Sequence, residues 1–128
     1  MNSLEVVCVG AHMRGMALNH EMEAVEAEFV AERKTAAAYD MFALKAVRKP
    51  LLLRGGTTSF DVEVWRIPMA NVGQFLRDSV KAPLCLGDVL LDDGTEIKGF
   101  LGEAYAKVDA IDVSHFKGWR HYLKSLQQ

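Results

Sequence analysis

The order of apolar runs in this chain predicts an α+β fold. Short strand patterns are interleaved with helical ones, without the steady strand–helix alternation that builds a parallel sheet. Two stretches carry this reading. Residues 60–67, FDVEVWRI, alternate as a strand does, with Val62 and Val64 on one face and Asp61, Glu63 and Trp65 on the other. Residues 88–92 and 95–100 are strand-like runs around Asp93-Gly94, the dipeptide suited to a type I′ hairpin turn, which makes neighbouring strands antiparallel. A mainly antiparallel or mixed sheet that can curl into a barrel is therefore preferred over a doubly wound sheet.

Taken in order, residues 4–9 form an apolar run expected to be the first buried strand, left through VGAHMRGM. Leu18, Met22 and Val25 then recur at helical spacing with glutamates between them, which predicts a short helix. Residues 39–44 and 50–54 read as strands, the second stopped by Gly55-Gly56. After the 60–67 strand, ended by Pro68, a helix is expected over 70–80, because Val72, Phe75, Leu76 and Ser79 share a face and Pro83 blocks continuation. Phe116, Trp119, Leu123 and Leu126 place a last helix at the C-terminal end, with Ser114 as its N-cap.

The 128 residues suit one domain, 1–128, large enough to bury a core without disulfides or metal. The formal net charge of -2, with no block of like charge, argues against nucleic acid as a partner. Cys8 and Cys85 lie in apolar runs and form no CxxC pair, as expected of free thiols in a reducing cytoplasm. Neither a leader nor a membrane-spanning run is evident, so a cytoplasmic protein without membrane partners is expected.

The chemical inventory is sparse. The glycines of VGAHMRGM do not match GxGxxG, and GK[ST] is missing, so nucleotide binding is not expected. His12 and His20 have no HExxH or Cys/His company, which speaks against a metal. His115 and His121 read as surface or half-buried residues of the last helix. Glu21, Glu23, Glu26, Glu28 and Glu32 read as a solvated face, and no serine lies in GxSxG context. What remains is the loop itself. Gly10 and Gly15 flank Ala11, His12, Met13 and Arg14, and glycines at a strand exit let backbone N–H groups converge on an anion. A turn that merely needs flexible residues is the competing explanation.

VGAHMRGMALNHEM, together with VEVWRIP, PLCLGDVLLDDGTEIKGFLGEAYA and FKGWRHYL in the same order and similar spacing, resembles the C-terminal domain of allophanate hydrolase. The resemblance covers nearly the whole chain and includes no amidase domain. It implies a γ-glutamylcyclotransferase-like fold, a small mixed β-barrel with surrounding helices, and an early return to extended chain over 29–34. It also implies that the first loop is a substrate cradle. The cyclotransferases of this fold carry a catalytic glutamate where this chain has Ser79, beside Asp78, so cyclotransferase activity is the disfavoured alternative.

The activity implied is decarboxylation of N-carboxycarbamate or a related small carboxylated urea derivative, without a cofactor, beside a separate amidase. A non-catalytic module that stabilises an amidase is a second alternative, and homo-oligomers are left open. Loss of CO₂ leaves charge on nitrogen, so the site needs fixed positive or N–H dipoles and one proton donor. On this reading His20 is the acid/base and His12 a cradle residue. Gly10, Ala11, Met13, Gly15 and Asn19 form the cradle, Arg14 binds a carboxylate, and Glu103 orients a histidine.

Overall fold

The computed structural model describes residues 2–127. Its elements in chain order are β1 (Ser3–Cys8), α1 (Asn19–Ala24), β2 (Glu28–Lys34), β3 (Tyr39–Leu44), β4 (Pro50–Arg54), β5 (Asp61–Pro68), α2 (Val72–Ser79), β6 (Leu84–Leu90), β7 (Glu96–Gly102), β8 (Ala110–Asp112) and α3 (Trp119–Ser125). A five-stranded sheet in the order β2-β5-β1-β7-β6 and a three-stranded sheet β4-β3-β8 make the mixed α+β architecture.

β1 lies at the centre of the larger sheet because Val6, Val7 and Cys8 are all fully buried. It pairs antiparallel with β5, from Ser3 opposite Pro68 to Cys8 opposite Glu63, and parallel with β7 at Val7 and Gly99. The sheet closes on itself at one end. Ala36 N–H donates to the Leu90 carbonyl (2.9 Å), Asp92 N–H to the Lys34 carbonyl (3.0 Å), and Thr35 bridges Leu91, so the outer strands β2 and β6 meet. This closure removes an exposed strand edge. Met41, Leu51, Leu52, Phe60, Ile67, Phe75 and Trp119 are buried in the same core as β1. Full burial of such a side chain contributes about 2 kcal/mol.

Three local expectations change. β5 is buried on both faces: Val62 and Val64 are covered, but so are Glu63 and Trp65, because α3 and the loop after β1 cover the face that alternation left polar. The hairpin turn is not type I′. Gly94 N–H donates to the Leu91 carbonyl and Leu91 N–H to that of Thr95, while Gly94 alone has positive φ (90°) there. That is a three-residue loop with glycine at its left-handed position. Ser114 caps no α-helix. Its Oγ accepts the Met41 N–H (2.9 Å), a 3-10 turn spans Ser114–Phe116, and the left-handed Lys117 (φ 62°) separates that turn from α3. The α2 helix similarly begins after a 3-10 turn, Met69–Asn71. No helix among the described residues is long and apolar enough to cross a membrane.

Candidate functional site

The chain leaves β1 in successive tight turns. Met13 N–H donates to the Gly10 carbonyl (3.0 Å), Met16 N–H to Met13 (3.0 Å), and Leu18 N–H reaches back to Ala11 (2.8 Å). The N–H groups of Gly10, Ala11 and His12 donate no hydrogen bond among the described residues. These three residues, with Val9, Pro50, Leu84 and Phe100, line a cavity of about 10 Å³. Such a space admits roughly one water-sized group. Gly10 is there for close packing: a Cβ would overlap the Pro50 ring and lie 3.0 Å from Trp119 Cγ.

His12 is the buried group of this cradle, only 3% exposed. Its ring stacks on Phe100, with centroids 4.6 Å apart and planes within 11°. Nε2 lies 2.7 Å from Glu21 Oε1, and the His12 carbonyl accepts Asn19 Nδ2 at 2.9 Å. Burial holds the imidazole below its ordinary pKa of 6.5 despite the opposing pull of Glu21, and the charges of Lys49 and His20 reinforce the lowering. At Glu21 burial acts upward, but hydrogen bonds from His12 and Ser79 outweigh it and the carboxyl lies below 4.5. Ser79 is itself buried. The carboxylate in this cluster therefore comes from α1, not from the end of α2.

The other half of the loop faces elsewhere. Arg14 donates its N–H to Glu63 Oε1 (2.9 Å), its Nε to Glu63 Oε2 (3.1 Å) and a guanidinium nitrogen to Glu32 (3.0 Å), with its Cζ 3.8 Å from the Phe29 ring centroid. Glu63, 1% exposed, also accepts Trp65 Nε1 (3.1 Å) and Arg120 (3.4 Å). This cluster adjoins an open cleft of about 610 Å³ lined by Met13, residues 32–34 and 61–63, Asp92, Arg120 and His121. Charges of both signs line it: Lys34 and His121 are 2.6 and 3.0 Å from Asp61.

The predicted residues are thus divided. Gly10, Ala11, His12 and Asn19 come together at the cradle, whereas Met13 and Arg14 meet at the cleft. Arg14 is engaged by two carboxylates of the protein, which displaces it from the role of a free carboxylate binder. Gly15 has φ 74° and nothing within 4 Å of a built Cβ, so it serves the turn and does not line the cradle. His20 is exposed in the first turn of α1. Glu103 is exposed, its backbone N–H held by the Pro83 carbonyl (2.9 Å), and it hydrogen-bonds neither histidine; Glu21 has that place beside His12. Sequence reasoning missed Glu21 and Phe100 at the cradle and Glu63 and Arg120 at the cleft. Glu63, set between Val62 and Val64 beside Trp65, carried a signal: a carboxylate within so apolar a strand needs a buried partner. Glu21 lies nine residues from His12 and only the fold brings them together. No group of three or more His, Cys, Asp or Glu side chains arranged to hold a metal occurs among the described residues.

Residues 4–124 match the family model of the allophanate hydrolase C-terminal domain. The chain is 33% identical to urea amidolyase of Saccharomyces cerevisiae over 98% of its own length and 7% of that protein. It thus spans a small fraction of the curated relatives it matches. Allophanate hydrolase of Kluyveromyces lactis superposes with a TM-score of 0.92 at 28% identity, covering 98% of this chain and 22% of that one. A uropathogenic E. coli-specific protein superposes with a TM-score of 0.89 at 31% identity, over 97% and 98% of the two chains. A gamma-glutamyl cyclotransferase, 13% identical with a TM-score of 0.55 over 86% of this chain and 69% of that one, shares the fold. This protein belongs to the family of the allophanate hydrolase C-terminal domain.

Proposed function

We propose that this protein decarboxylates a small carboxylated urea derivative, N-carboxycarbamate, working beside an amidase that produces it. The observation that carries the reading is the cradle: three unengaged N–H groups, at Gly10, Ala11 and His12, beside a buried imidazole that is paired with a carboxylate. In the reaction the bond between nitrogen and the leaving carboxylate carbon breaks. Its electron pair stays on nitrogen, CO₂ departs, and a proton converts the product to carbamate. N–H dipoles in the pocket stabilise the carboxylate that remains, and the protonated form of His12, the minor form at neutral pH because burial lowers its pKa, delivers the proton.

His12 is the better proton carrier of the two histidines, because burial, Phe100 and Glu21 fix its ring. Nε2 is shared with Glu21, which leaves Nδ1 for a ligand. Lys49 is close enough for its charge to weigh against protonation of His12. The cavity admits one oxygen-sized group, so a single carboxylate oxygen enters it and the rest of the substrate lies outside.

The test supplies an allophanate-cleaving amidase with allophanate and follows CO₂ release. The protein is expected to accelerate it and His12→Asn to lower the accelerated rate by about 100-fold, and an equal rate with and without the protein overturns the reading. A second reading, a non-catalytic module that docks on an amidase, draws support from Tyr105, Val108 and Ile111, large apolar side chains exposed in one short segment. Under that reading Val108→Asp releases the amidase in co-purification while His12→Asn does not.

A further inference from the structure

We propose that Glu63 and Arg120 are positioning residues that clamp the cradle loop from the side opposite His12, an inference that rests on the decarboxylase reading of the cradle. Both polar groups of the Arg14 peptide are held by side chains from distant elements. Its N–H donates to Glu63 Oε1 at 2.9 Å, and its carbonyl accepts an Arg120 guanidinium nitrogen at 2.6 Å. The same Arg120 nitrogen lies 3.4 Å from Glu63 Oε2, which also accepts Arg14 Nε at 3.1 Å. β5, α3 and the loop are thereby joined in one closed ring of charge-assisted hydrogen bonds.

Glu63 is 1% exposed and Arg120 35%, so the ring is sealed at its inner end and reachable at its outer end. A buried carboxylate that loses its donors is costly, so the loop cannot shift Arg14 without breaking several bonds together. Arg14 lies two residues after His12, and Met13, between them, is tied back to Gly10 by its own N–H. A displacement of the clamp therefore passes directly into the N–H groups at Gly10, Ala11 and His12. Neither Glu63 nor Arg120 lines the small cavity, so they act on a ligand only through the loop.

Two readouts on Glu63→Gln, Arg120→Met and Arg120→Lys test this. The first is amide hydrogen exchange, independent of any catalysis. The hydrogen-bonded loop amides of Met13, Arg14 and Met16 should exchange at least tenfold faster in Glu63→Gln and Arg120→Met, with the β1 and β5 amides unchanged. The second is the coupled CO₂ assay below the unfolding range. There kcat should fall at least tenfold with KM altered less than threefold, and Arg120→Lys, which keeps a donor for the Arg14 carbonyl, should recover most of the rate. Unchanged loop exchange in folded Arg120→Met overturns the clamp, whatever Glu63→Gln does to folding. Faster loop exchange with no decarboxylation even in the wild type upholds the clamp and overturns the function.

Discussion

The loop after β1 serves two regions built on opposite principles. On the Gly10–His12 side the pocket is small and mostly apolar, with unengaged N–H groups and one buried imidazole–carboxylate pair. On the Met13–Arg14 side the cleft is far larger but its charges are spent on one another: Arg14 on Glu63 and Glu32, Lys34 and His121 on Asp61. The difference teaches that size is a poor guide to chemistry here. A cleft whose charges are already neutralised internally offers a ligand little that it does not first take away, whereas N–H dipoles with no protein partner interact favourably with a single anionic group.

The strongest way to break the comparison is to fill the cradle's floor. Gly10→Val places side-chain atoms where Pro50 and Trp119 already sit, and should destabilise the fold by about 3 kcal/mol, as overpacked cores do. Chemical denaturation checks it, and a wild-type midpoint would mean that the loop can move away. Next comes His12→Asn, which should lower the decarboxylation rate by about 100-fold, the lower range for losing a general acid or base.

The same histidine predicts a pH dependence of stability. In the unfolded chain it titrates near 6.5, and in the folded protein lower, so below 6.5 the unfolded chain binds more protons and stability falls as the pH drops toward the folded value. Glu21 has the usual carboxylate behaviour: its folded pKa lies below 4.5, so its contribution is present above 4.5 and is lost as the pH falls through the folded value. Thermal unfolding of wild type and His12→Asn between pH 7 and 5 should diverge in slope, the variant being flatter. A parallel pair of curves would remove His12 as the titrating group.

Smaller effects should come from the cleft side. Gly15→Ala forces a Cβ into a left-handed turn but meets no atom, so a cost of about 1 kcal/mol with unchanged CO₂ release is expected. A selective loss of activity instead would return Gly15 to the cradle. Lys34→Met breaks an exposed ion pair with Asp61 and should leave the thermal midpoint within error, as most surface pairs do.

Much of the fold was legible because its signals are local. The alternation of residues 60–67, the helical spacing at Leu18, Met22 and Val25, and the Asp93-Gly94 turn each depend on a few adjacent residues, and β5, α1 and the β6–β7 hairpin followed. The extended chain over 29–34 was reached through resemblance, since its polar, glutamate-rich pattern is compatible with a helix. The short strand β8 was missed: three residues, paired only through Phe42, Ala43 and Leu44, have no period to read.

What the sequence by itself determined is which residues are apolar on which face, that the first strand ends in a glycine loop bearing a histidine, and the family to which the whole pattern is similar. The tertiary structure decided what covers the second face of β5 and which carboxylate meets which cation. Glu21 reaches His12 from nine residues away, Glu63 reaches Arg14 from 49, and Arg120 reaches the Arg14 carbonyl from 106. Periodicity records the solvent or core that each side chain will see on average. It cannot record the partner that closes over a polar position, because that partner is chosen by barrel closure and helix docking, long-range events that no local window of sequence contains.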